Sequence, residues 1–496
     1  MYKDLIHSSK HRVRHFWTDF SIISSHILAL TFLALSGFDI FDICHQLHTF
    51  VAQKMLITKD LIMFETARKA CIVITSSAIA LSLHSYFKAP LSKNAHWETP
   101  LLMIFGAFAS LIIAIAQDLI IIYLCLVVFS LVTQILLSQS KDKFGLEAAI
   151  KYFIFDNCIG ILFLLGIALI YISHGNVDIY SHSLQHIKII SALDLPTSTL
   201  ESAGFAILLI YGCFKLGVPP LHFWIPDTLQ SAKIEHSLYI LGVLKVPICL
   251  MMIRILKAFP DSEYICQAML LLGVCTTLWP AIVNLQQSNI KRVFGYSAIH
   301  QSGFILVAMA IPFGENASII YVSTYITLIH IPIMYLLSKL DSLSNDDDKC
   351  FLTIDNVKII SPYYQLPFCI LMLSVAGIPP LAGFFIKLNI FELLIQQSYY
   401  ITTCMVFLST IVAAFYPFRI ISSLFFSEVK KILAGEKSSI SLEDAVDKEL
   451  SIYVSSTKRH KHFTIDFRFC IIALFVLMNL MYIFSDTFNV EKYLSL

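Results

Sequence analysis

FKLGVPPLHFWIPD, residues 214 to 227, decides the fold. The apolar run from Gly204 to Phe214 reads as a transmembrane helix, and it leads directly into Lys215, Gly217 and the pair Pro219 and Pro220. A helix cannot continue through that pair, because each proline removes a donor and clashes one turn back. In lipid the freed carbonyls must find protein or water, so the break faces a protein-lined or wet interior. Lys215 and His222 stand seven residues apart, a spacing that predicts one face of whatever helix remains. Ionisable groups inside a membrane are costly, and their default reading is functional; a lysine snorkelling from a helix end is the bland alternative.

The pattern occurs twice. VAGIPPLAGFFIK at 375 to 387 repeats GVPPL as GIPPL and carries Lys387 deep in its segment. Two proline-interrupted hydrophobic segments in corresponding places point to a transporter built from inverted repeats. Lys215 precedes its break and Lys387 follows its own, so the two lysines occupy different points along a path.

Composition sets the class. The chain has 496 residues, 57% hydrophobic and 14% charged, with a mean hydropathy of +0.75, which is a polytopic all-α membrane protein. A net charge near +1 and no recognisable motif argue against nucleic acid. The 12 cysteines are scattered without metal spacing and read as small buried hydrophobes, so neither metal nor cofactor is expected in this chain. The basic residues before position 16 lack the pattern of a cleavable signal.

Apolar runs fall at about 20–37, 70–87, 100–116, 118–138, 149–173, 203–231 (broken), 236–256, 265–284, 291–311, 317–338, 364–396 (broken), 399–426 and 466–484, about thirteen spans. They divide the chain into N-terminal helices (1–99), a first five-helix repeat (100–256), a second (257–426), and a loop with a C-terminal helix (427–496). Residues 44–69 read as an interfacial helix or loop, 174–202 as a polar loop, and 341–350 and 427–463 as solvated connections. Gln117 and Asp118 alone separate two spans and predict a tight turn. The basic N-terminus, Lys141, Lys143, Lys291, Arg292 and the 427–463 loop gather on one side, which the lysine and arginine bias assigns to the negative face.

Within the spans, Lys215, Lys245 and Lys387 are the candidate proton relay. Burial disfavours the charged form of an amine, so such a lysine can both accept and release a proton near neutral pH. His222, His300 and His330 lie in apolar context and could bridge lysines through water, or could be satisfied core histidines. Asp156, in KYFIFDNCIG, is the one carboxylate well inside a span and needs a partner or a wet pocket.

Taken together, GLEAAIKYF (145–153), FKLGVPPLHFWIPD, the Lys245 to Arg254 spacing, NIKRVFGYSAIHQSG (289–303) and LSVAGIPPLAGFFIKL (373–388) resemble the antiporter-like membrane subunits of mitochondrial NADH:ubiquinone oxidoreductase, respiratory complex I. The resemblance spans residues 100 to 425. It implies a hydrated mid-membrane path through Lys215, Lys245 and Lys387, coupled to quinone chemistry elsewhere. It also implies partnership with other membrane-arm subunits and lipids in the mitochondrial inner membrane. Some branches of that family carry lysine on the second broken helix and another carries a carboxylate; Lys387 places this chain with the former.

Two departures matter. The family's carboxylate on the helix before GLEAAIKYF falls on Val127, and the family's histidine falls on Gln301, with His300 one place earlier. Without an anion Lys215 would rest neutral; Asp156, on the next helix, is the expected substitute. Two other readings stay open here: a structural subunit whose channel is impaired by Val127, and a stand-alone cation/proton antiporter module. Relative to the fourteen-helix bacterial form, one N-terminal helix is expected to be missing.

Overall fold

The computed structural model describes residues 98–139, 143–179, 197–232, 234–258, 263–326, 362–379 and 381–425. The expected spans at 20–37, 70–87 and 466–484, the segment 44–69, His330 and the loops 341–350 and 427–463 lie outside the described residues.

The described residues form helices with no strand: α1 Thr99–Ile115, α2 Leu119–Ser138, α3 Lys143–His174, α4 Thr197–Leu216, α5 Trp224–Ser231 and α6 Ile234–Ala258. There follow α7 Glu263–Asn284, α8 Ile290–Ala310, α9 Glu315–Thr324, α10 Pro362–Ala376, α11 Ala382–Gln396 and α12 Tyr400–Phe425. Six of these are long and apolar enough to cross a membrane. The order repeats: three helices, a broken helix (α4/α5, then α10/α11), one helix. An odd number of crossings per unit, as the sequence predicts, would bring the second unit in from the opposite face and make the repeat inverted.

Two helix starts carry a side-chain cap. Asp118 lies in the tight turn and its Oδ1 accepts from the Ile120 amide at 2.9 Å, satisfying a first-turn donor of α2. Asn289 does the same for α8 through the amides of Lys291 and Arg292. Two helices begin earlier than hydropathy predicts. α3 starts at Lys143, not near 149, because Glu147 and Lys151 form an ion pair one turn apart at 2.7 Å on a polar first stretch. α4 already includes Thr197, so residues 197–202 of the expected loop 174–202 are helical.

α8 is the axis of the fold. Apart from Arg292, every residue from Ile290 to Ala310 is buried, against α7, α5, α9, α6 and α11. α2, α3 and α12 instead turn apolar side chains outward: Leu131, Ile161, Phe407 and Phe415 are exposed, as suits contact with lipid or other apolar surface.

Charged groups sort to the two ends. At one end Asp227 of α5 binds Lys151 of α3 at 3.2 Å and Arg292 of α8 at 3.1 Å. At the other, Lys257 of α6 pairs with Glu315 of α9, and Arg254 donates to the carbonyls of Ile113 and Ala116 at the end of α1.

Candidate functional site: three buried lysines around two broken helices

Both breaks are built the same way. At the first, the Gly217 amide donates to the Phe214 carbonyl at 3.0 Å and the Val218 amide to Cys213 at 2.9 Å, with Gly217 at φ +78. At the second, Gly377 donates to Ser374 at 3.0 Å and Ile378 to Leu373 at 3.2 Å, with Gly377 at φ +84. This is the left-handed glycine cap that ends a helix while satisfying two of its last carbonyls, and prolines follow because no helix has to continue. Glycine is required on two counts, since the backbone is left-handed and a Cβ at Gly217 would lie 2.1 Å from Ile225 Cδ1.

Lys215 is the last residue but one of α4 and its side chain is fully buried. Its ammonium donates to Ser130 Oγ of α2 at 2.7 Å and to Tyr152 Oη of α3 at 2.9 Å, and it forms an ion pair with Asp156 of α3. The rings of Tyr152 and Tyr211 lie 5.1 and 5.4 Å from Nζ. The ammonium thus meets two hydroxyl acceptors and one anion. Trp224, at the start of α5, packs its ring at a tilt against Tyr152 and donates its indole N–H to the Phe214 carbonyl at 2.9 Å, tying the two halves of the broken helix together.

Lys245 sits mid-way along α6. Its Nζ donates to the Ala298 carbonyl at 2.6 Å and to Ser302 Oγ at 2.8 Å, both on α8. Lys387, on α11, donates to the Val375 carbonyl at 2.8 Å, an end-of-helix acceptor of α10, and lies 5.8 Å from the Phe304 ring. Among the described residues neither amine has a carboxylate partner. On α8 near Lys387 stands His300, whose Nδ1 is bound to the Thr277 carbonyl at 2.8 Å and whose ring meets Phe304 edge-on at 5.3 Å. His300 Nε2 has no hydrogen-bond partner among the described residues, and the ring is within electrostatic reach of Lys387.

His222 does not share a helical face with Lys215, because α4 ends at Leu216 and the left-handed Gly217 redirects the chain. His222 is half-buried in the turn and makes no hydrogen bond to any of the three lysines. Gln301, at the family's histidine position, is occupied by the Tyr321 hydroxyl, while His300 points to another side of α8. The hydroxyl acceptors Ser130, Tyr152 and Ser302 escape a reading by charge. Tyr152 alone could be suspected, since it stands one turn before Asp156 on a helix otherwise apolar at that depth.

This arrangement can be set beside known proteins. Residues 116–413 match the family model described as NADH:quinone oxidoreductase/Mrp antiporter, TM, and the chain belongs to that family. The chain is 28% identical over 368 residues to NADH-quinone oxidoreductase subunit N of Ruthia magnifica, covering 72% of this chain and 73% of that one. It is 29% identical over 345 residues to the subunit N of Pelagibacter ubique, covering 67% and 70%. Among solved structures it shares its fold with a chain of respiratory complex I from Thermus thermophilus with bound aureothin, at TM-score 0.59, 22% identity and coverage of 82% and 84%. A chain of the archaeal membrane-bound sulfane sulfur reductase has the same fold, at TM-score 0.63, 19% identity and coverage of 82% and 83%.

Proposed function

We propose that this chain is the antiporter-like subunit at the subunit-N position of a mitochondrial NADH:ubiquinone oxidoreductase, multi-pass in the inner membrane. The sequence motifs resemble the second chain of that mitochondrial complex. In this reading it carries a proton path coupled to electron transfer from NADH to ubiquinone, holds no redox cofactor of its own, and packs against other membrane-arm subunits and lipids. The basic N-terminus and the 427–463 loop face the matrix; in intact mitoplasts, protease added from outside is expected to leave that loop uncut.

The observation that carries the reading is the convergence of three buried lysines on the two breaks and on α8. A charge on Lys215 is held by a formal anion, whereas one on Lys245 or Lys387 is held by neutral dipoles alone. A proton therefore has unequal resting places along the path, and its occupancy of one changes the field at the next. Ser302 and the free Nε2 of His300 lie on the one helix that both Lys245 and Lys387 face, placed to pass a proton through water. Bound Asp156 also speaks against the impaired-channel reading, because it restores an anion that Val127 cannot supply.

Lys387→Met is the test. Proton translocation per NADH oxidised, at equal content of assembled complex, is expected to fall. Lys349→Met, in the polar 341–350 loop, should leave it unchanged. Equal stoichiometry in both variants would refute the reading.

A further inference from the structure

We infer that Asp156 is the positioning residue of the first broken helix: it holds the Lys215 ammonium in place from α3, a role for which α2 offers only an uncharged hydroxyl. The inference rests on the proton-carrier reading of Lys215 given above.

Asp156 stands in the 32-residue helix α3, in a stretch running FIFDNCIGILFLLG, and only 5% of its surface is exposed. A carboxylate this deep has no packing reason to be there and is costly unless its charge is met. The charge is met by one cation, Lys215, whose remaining two N–H donors go to Tyr152 and Ser130. Tyr152 and Asp156 are four residues apart, so one face of α3 presents both a hydroxyl and an anion to the same amine. Ser130 approaches from α2 and is itself anchored to the Leu126 carbonyl at 2.8 Å. Val127, three residues before Ser130 on that helix, adds no polar atom. The aromatic groups of Tyr152, Tyr211 and Phe214 close the remaining directions around Nζ, at 5.1, 5.4 and 5.9 Å. Asp156 therefore fixes where the proton carried by Lys215 resides, immediately before the capped end of α4, and it touches no other reacting group.

The experiment is a double-mutant cycle in the assembled complex, reading proton translocation per NADH oxidised together with the amount of assembled complex. Per assembled complex, D156N is expected to lower proton-coupled turnover about tenfold, as when a buried charge loses its partner, and K215M by a similar factor. K215M/D156N should be no worse than K215M alone, since Asp156 acts only through Lys215. D156E, which keeps the charge on a chain one methylene longer, should recover most of the loss. A tenfold further loss on adding D156N to K215M would overturn the inference, as would normal turnover in D156N beside a deficient K215M, which leaves the functional reading standing. Normal turnover in K215M would overturn the functional reading and the inference with it. If D156N complexes fail to assemble, the double variant, which removes both buried charges, is expected to assemble; its failure as well would overturn the inference.

Discussion

The two broken helices end on the same left-handed glycine cap, yet they hold their lysines in different ways. At the first, Lys215 lies before the cap and is locked to an anion and two hydroxyls. At the second, Lys387 lies after the cap and reaches back over Gly377 to the Val375 carbonyl; a Cβ on Gly377 would come within 3.3 Å of Lys387 Nζ. The cap is a backbone device and is indifferent to charge. What distinguishes the breaks is the partner each lysine finds, and that partner sets how much removal of the lysine should cost.

The largest effect is expected at the first break. Lys215→Met leaves Asp156 buried without a cation, a loss of about 3–5 kcal/mol that should appear as a markedly lower yield of assembled complex. Lys387→Met strands only a carbonyl and should cost about 1 kcal/mol, so its assembled yield should stay near the wild type. Equal assembly losses would break the comparison.

Next come the caps. Gly217→Ala meets both the left-handed backbone, worth about 1–2 kcal/mol, and the Ile225 side chain. Gly377→Ala meets the same backbone cost and only a movable lysine chain. Thermal unfolding of the assembled complex should therefore shift more for Gly217→Ala, whereas Gly377→Ala should act more on turnover by displacing Lys387. A reversed order would show that the caps are not equivalent.

Trp224→Phe keeps most of the ring contact with Tyr152 and deletes the indole donor to Phe214, with an expected loss of about 1 kcal/mol in the same unfolding measurement. The smallest effect belongs to Asp227→Asn. Its ion pairs with Lys151 and Arg292 are half-exposed, so the cost should be about 1 kcal/mol or less and should shrink as salt rises. A loss larger than that at Lys215 would move the electrostatic centre from the membrane interior to its surface.

Much of this contrast is legible in the chain itself. GVPPL and GIPPL announce both breaks, because proline and glycine act through the backbone and need no tertiary context. The buried lysines stand out because charge inside an apolar run is rare, and Asp156, the one carboxylate well inside a span, stands out on the same ground. Other features depend on rotation about a helix axis or on where a helix stops. His222 looks aligned with Lys215 only if the helix continues, and Gly217 ends it. Whether His300 or Gln301 faces a lysine depends on the roll of α8, which a helix buried on nearly every side does not reveal through periodicity. Ser130, Tyr152 and Ser302 are ordinary residues until a neighbouring helix brings an amine to them. The polar starts of α3 and α4 are missed for the opposite reason, because hydropathy discounts polar first turns, such as the one on α3 that carries the Glu147–Lys151 ion pair.

The central claim is that Lys215, Lys245 and Lys387 are stations on one hydrated path. A cryo-EM map of the intact complex that resolves ordered water tests it most directly. The account expects water or a hydroxyl within hydrogen-bonding distance at every step from Lys215 past Lys245 and His300 to Lys387. A dry apolar barrier between any two of these lysines in every conformational state of the turning-over complex would contradict it.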